Sequence, residues 1–185
     1  MDFLLVGGYD NGVLERAEQI AKVSGDVLDV PLCYISARSS IPEIDADRTR
    51  HRIEKYGALG FSTVTQCSDL ADVLDSVDRK SIFIIDSVTA LLWNEMFGGE
   101  EFDVLATGRL MDGLEKFRNG VRSALFVTHD IFCGTGHRGS DRGVVSRRGD
   151  HMEYFRKGLA EIQKNLARSC DHVEEISYGF RYRFK

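Results

Sequence analysis

Phe3-Leu4-Leu5-Val6-Gly7-Gly8-Tyr9-Asp10-Asn11-Gly12-Val13-Leu14 is the stretch on which the fold turns. An unbroken apolar run ends at a glycine pair, and helical spacing follows in Leu14, Ala17, Ile20, Ala21 and Val23 up to Gly25. A strand apolar at every position is covered on both faces, which points to a parallel sheet flanked by helices. Gly7 and Gly12 stand at the first and sixth places of the strand-to-helix turn. A phosphate-binding loop needs glycine at those places, so that backbone N–H groups aim inward at an anion and the helix adds its positive end. The pattern next asks for Lys and then Ser or Thr. This chain has Val13 and Leu14 there. A tight turn with no ligand is the plainer alternative, and at this point it stays open.

Outward from this stretch, strands and helices alternate. Pro31–Ala37 reads as a second strand, Asp45–Tyr56 as a charged helix closed by Gly57, and Ser68–Leu74 as a short helix capped by Ser68. Ser81–Asp86 is the strongest strand. Helices follow over Val88–Phe97 and Phe102–Arg118, then a buried strand over Ala124–Thr128 and a long helix over His151–Ser169. His172–Tyr178 and Phe180–Phe184 alternate about Gly179, which predicts a terminal β-hairpin. Strand–helix alternation predicts an α/β fold in three layers, with a mostly parallel sheet. Phe3–Val6, Leu32–Ile35, Ile82–Ile85 and Ala124–Val127 are expected side by side in its interior.

The chain has 185 residues, 43% hydrophobic and 29% charged, and no internal linker, so a single domain over residues 1–185 is expected. No apolar run is long enough to span a membrane, and the first residues do not read as a signal peptide. Cys33, Cys67, Cys133 and Cys170 have no metal-ligand spacing and suit a reducing cytoplasm. A net charge of −5 argues against broad binding to nucleic acid or an anionic membrane.

Three further constellations bear on chemistry. Asp86 closes the strongest strand, where a carboxylate beside a phosphate loop holds Mg²⁺ through water; capping of the next helix is the competing role. Arg48-Thr49-Arg50-His51-Arg52-Ile53-Glu54-Lys55 places four basic groups and a histidine on two helical turns. They suit a phosphate, or equally a solvated helix face. Residues 130–149, rich in Gly and Arg, read either as a polar loop or as a basic lid over an anion.

Taken in order, these pieces resemble the adenosylcobinamide kinase / adenosylcobinamide-phosphate guanylyltransferase family. Its GGxxSGKSxxAE loop is similar to Gly7-Gly8-Tyr9-Asp10-Asn11-Gly12-Val13-Leu14-Glu15-Arg16-Ala17-Glu18. Tyr34-Ile35-Ser36-Ala37, Asp86-Ser87-Val88-Thr89 with Trp93-Asn94, Val127-Thr128-His129-Asp130 and the Phe155–Val173 region match at four further places. The resemblance implies a P-loop, RecA-like fold and a transferase of cobalamin nucleotide-loop assembly. It would act as kinase, as guanylyltransferase or as both, on GTP or ATP with Mg²⁺ and on a corrinoid, and it would assemble as a homotrimer. It also implies phosphate binding by Gly7, Gly8, Tyr9, Asp10, Asn11, Gly12, Val13 and Leu14, with Arg48, Arg52 and Thr128 beside the nucleotide and Mg²⁺ at Asp86. The family's nucleophilic histidine falls on His51 if one upstream residue is missing, and on Arg52 if Arg48 aligns with the motif's first arginine. His51 is the preferred reading. Loss of the loop's Lys and Ser supports the alternative, an inactive relative that binds a nucleotide, a corrinoid or another subunit.

Overall fold

The computed structural model describes residues 1–8, 11–37, 43–129 and 145–185, with side chains described outside 43–46 and 145–149. The apolar runs become strands β1 (Phe3–Gly7), β2 (Leu32–Ser36), β4 (Ile82–Asp86) and β5 (Ser123–His129). With β3 (Ser62–Thr65), β6 (His172–Ser177) and β7 (Phe180–Arg183) they form one sheet in the order β3-β2-β4-β5-β1-β6-β7. The four apolar strands are adjacent in its interior, as their composition predicts. All pairings are parallel except β6 with β7, which closes the chain as an antiparallel hairpin. The hairpin turns at Gly179, whose φ is +78°.

Among the described residues, the helices α1 (Val13–Leu28), α2 (Glu43–Ala58), α3 (Val88–Phe97), α4 (Ala106–Gly120) and α5 (Val145–Ser169) complete the three layers. Because side chains alternate along a strand, the sheet has two distinct cores. Leu5, Tyr34, Ile82, Ile84, Val127 and Ile176 pack with Val13, Ala17 and Ala21 of α1 and Tyr56 of α2. Leu4, Ile35, Phe83, Ile85 and Phe126 pack beneath α3, α4 and α5, with Leu91, Phe117, Phe155 and Ile162 among their partners.

Three readings need adjustment. β3 has no counterpart in the sequence pattern, because Ser-Thr-Val-Thr is short and half exposed at the sheet edge. Residues 70–75 form a 3-10 helix whose cap is Asp69 in the left-handed region rather than Ser68. α5 begins at Val145, inside the stretch read as a loop. The expected lid over residues 130–149 falls largely on 130–144, outside the described residues.

Candidate functional site

The described residues on either side of Tyr9 and Asp10 show how the glycine turn meets α1. Gly12 lies in the left-handed region at φ 87° and sits at the N-cap of α1 without a side-chain cap. The Asn11 amide donates to the Gly8 carbonyl at 3.2 Å, and the Arg16 amide to Gly12 at 3.0 Å. A Cβ on Gly7 would meet the Ile176 carbonyl at 2.9 Å, and one on Gly8 would meet the side-chain amide of Asn11, which can swing aside. Backbone approach therefore fixes Gly7, and φ fixes Gly12. Tyr9 and Asp10 lie outside the described residues.

The two side chains that follow do not serve an anion. Val13 is 2% exposed and belongs to the core beneath α1; Leu14 packs against the same core, half-buried. Arg16, one turn further on, is equally committed. Its Nε and Nη2 donate to the two carboxylate oxygens of buried Glu174 at 2.8 and 3.0 Å, and this fork holds the Glu174 carboxyl below its ordinary range. The loop has no substitute cation at that position.

The acidic half of the site lies at the C-terminal edge of the sheet. Asp86 is fully buried at the end of β4. The cap of α3 is Ser87, whose hydroxyl accepts from the Ala90 amide at 3.2 Å, so Asp86 is not spent on capping. Its Oδ2 accepts from Tyr34 Oη at 2.7 Å and from Arg52 Nη1 at 2.8 Å. Its Oδ1 lies 3.8 Å from His129 Nε2. Burial, and then the Asp86 carboxylate, push the Tyr34 hydroxyl far up, so it remains a donor. Arg52 reaches this place because α2 runs over β2 with Arg52 and Tyr56, four residues apart, on its inner face; the Tyr56 ring stacks on Tyr34 at 4.1 Å.

Of the residues singled out from sequence, the structure brings Arg52 and Asp86 together at the end of the sheet that also carries the Gly7–Gly12 frame. It turns others away. The side chain of His51 is 83% exposed, 3.7 Å from Glu54, outside the cluster. Arg48 is exposed. Thr128 faces α5 on the opposite side of the sheet and accepts from Gln163 Nε2 at 3.2 Å. The signal that sequence reading passed over was the period of two in Tyr34-Ile35-Ser36, which puts Tyr34 and Ser36 on Asp86's face.

Mg²⁺ is the group such a site implies, and the residues present do not fit it. Asp86 Oδ2 already takes two donors, one of them a cation, and Leu14 offers no oxygen. Among the described residues no group of three or more His, Cys, Asp or Glu could hold a metal ion.

The fold is that of the RecA-like P-loop ATPase domains. Similar solved structures include an ATPase domain that aligns at TM-score 0.51 and 13% identity, over 94% of this chain and 68% of that one. The flagellar accessory protein FlaH from Methanocaldococcus jannaschii is similar too (TM-score 0.50, 13% identity, 94% and 70%). A KaiC-like protein from Pyrococcus horikoshii OT3 aligns at TM-score 0.46 and 14% identity, over 95% and 70%. No family model matches the chain, and no curated protein matches it significantly. No helix among the described residues is long and apolar enough to cross a membrane.

Proposed function

We propose that this chain is a RecA-like domain that binds a phosphate-bearing ligand, in the first instance GTP or ATP, without Mg²⁺ and without turning it over. The observation that carries this reading is the 2.8 Å contact of Arg52 Nη1 with Asp86 Oδ2. A built-in guanidinium stands against the carboxylate where a hydrolytic site would hold its metal. The left-handed Gly12 and the start of α1 without a side-chain cap support retention of an anion-binding shape. Burial of Val13 supports loss of the lysine's role. Binding without turnover suits an inactive relative whose occupancy is read out by another subunit.

The transferase reading, phosphoryl or guanylyl transfer to adenosylcobinamide by a homotrimer, is favoured by the order of motifs along the whole chain. It needs His51 to reach the site, and α2 would have to rotate by about 100° to present it. Arg52 already fills the inward place.

Calorimetric titration with GTP, ATP and cobinamide, each with Mg²⁺ and with EDTA, separates these readings. The proposal expects one nucleotide to bind equally in both buffers, and no nucleotide product on incubation with cobinamide. Mg²⁺-dependent binding, or conversion of cobinamide, would contradict it.

A further inference from the structure

Among the described residues, three buried hydroxyls between α2 and the sheet have no hydrogen-bond partner: Ser36 Oγ, Thr49 Oγ1 and Tyr56 Oη. Ser36 is 1% exposed and Tyr56 is fully buried. A buried hydroxyl without a partner destabilises the protein that carries it. Three in one place call for a ligand.

Their placement is set by the backbone. Ser36 lies directly opposite Asp86 in the β2–β4 ladder, so the two side chains leave the same face of the sheet. Thr49, Arg52 and Tyr56 follow at spacings of three and four along α2, which puts them on one helix face. That face looks onto the strands, because Arg52 reaches Asp86 and Tyr56 stacks on Tyr34. α2 returns antiparallel to β2 between two parallel strands. Thr49 therefore lies towards the strand ends near Ser36, and Tyr56 deeper, beside Tyr34. Ser36 thus leaves the sheet beside Asp86, Thr49 shares a helix face with Arg52, and the Tyr56 hydroxyl feels the carboxylates of Glu18, Asp86 and Glu15 as well as the Arg52 guanidinium.

Resting on the reading above, we infer that Ser36, Thr49 and Tyr56 donate to the oxygens of the ligand's phosphoryl group, in a metal-free subsite between α2 and the ends of β2 and β4. Each hydroxyl turns to donate, and a phosphoryl group offers several acceptors at once. The Tyr34 hydroxyl and the Arg52 guanidinium compensate Asp86, so its charge does not repel the anion.

The test uses Ser36→Ala/Thr49→Val and, separately, Tyr56→Phe, titrated in EDTA with ATP, GTP and inorganic pyrophosphate alongside thermal melts of the free protein. Removing unpaired hydroxyls leaves the free protein as stable as before, or more so. Binding of the preferred nucleotide and of pyrophosphate should weaken together, about tenfold to a hundredfold in the double variant and about three- to tenfold in Tyr56→Phe. A nucleotide Kd within twofold of the natural protein in both variants would overturn the subsite while leaving metal-free binding intact. Weakening confined to the nucleotide, with pyrophosphate unchanged, would place the hydroxyls on the nucleoside and overturn the phosphoryl assignment. No binding of any probe to the natural protein would overturn the subsite and the proposed function together.

Discussion

The glycine loop before α1 and the acidic end of β4 sit at the same end of the sheet and, on the proposed reading, differ from a metal-nucleotide site in opposite ways. At the loop Gly12 keeps a left-handed backbone, while apolar side chains stand where a lysine and a hydroxyl would grip phosphate and metal; Val13 is part of the core. At β4 the carboxylate persists, but Arg52 and Tyr34 occupy it. One region lost its charges by burial and the other by pairing. The difference teaches which change is reversible. A hydrophobic side chain packed on all sides resists replacement, whereas a paired carboxylate is released by removing one neighbour.

The largest effect should come from the paired region. Asp86→Ala removes the carboxylate that accepts from Arg52 Nη1 and leaves the buried Tyr34 hydroxyl without its acceptor, and should cost about 3–5 kcal/mol in urea unfolding. A loss below about 1 kcal/mol would mean that the cluster is solvated and that the contrast with the loop is false. In the apolar region, Val13→Lys should cost about 2–4 kcal/mol, since the ammonium must be buried or the start of α1 must open. Joined with Leu14→Ser it should still leave nucleotide binding indifferent to Mg²⁺, because Arg52 holds Asp86. Adding Arg52→Ala should bring Mg²⁺ dependence, read by titration calorimetry. Dependence in the double variant alone would show that the loop was the single barrier.

A smaller effect sharpens the comparison from the loop's flank. Arg16 keeps the Glu174 carboxyl depressed. A depressed acid stabilises the fold above its unfolded pKa, about 4.3, and that contribution is lost as pH falls through the lower folded value. Glu174→Gln should therefore remove about 1–2 kcal/mol at neutral pH and flatten the acid limb of the stability curve below about pH 4. An unchanged limb would show that the fork contributes nothing. The smallest effect belongs to His51→Ala, expected within about 0.5 kcal/mol of the natural protein and without change in nucleotide binding, since the ring stands in solvent.

Much of the fold is legible in the chain because its strongest strands are apolar throughout, and such runs belong in the interior of a covered parallel sheet. Ser62–Thr65 was not legible, since a half-exposed edge strand of four residues carries no periodic signal. The positions of the glycine turn and of Asp86 were legible, since they follow from spacing and from the end of an apolar strand. The choice between His51 and Arg52 was not, because adjacent residues on a helix differ by about 100° and only packing against β2 decides which one points inward. The acceptor of Tyr34 was hidden for a similar reason. A tyrosine in an apolar strand reads as core until a carboxylate is found 52 positions away.

The central claim is that Arg52 stands in the place of a metal. Titration of Mn²⁺ into the protein saturated with its preferred nucleotide, followed by electron paramagnetic resonance of the free ion, tests it most directly. The account predicts that the natural protein takes up no Mn²⁺ beyond what the nucleotide alone retains, and that Arg52→Ala takes up about one equivalent, which is lost again in Arg52→Ala/Asp86→Asn. Stoichiometric uptake by the natural protein would contradict it.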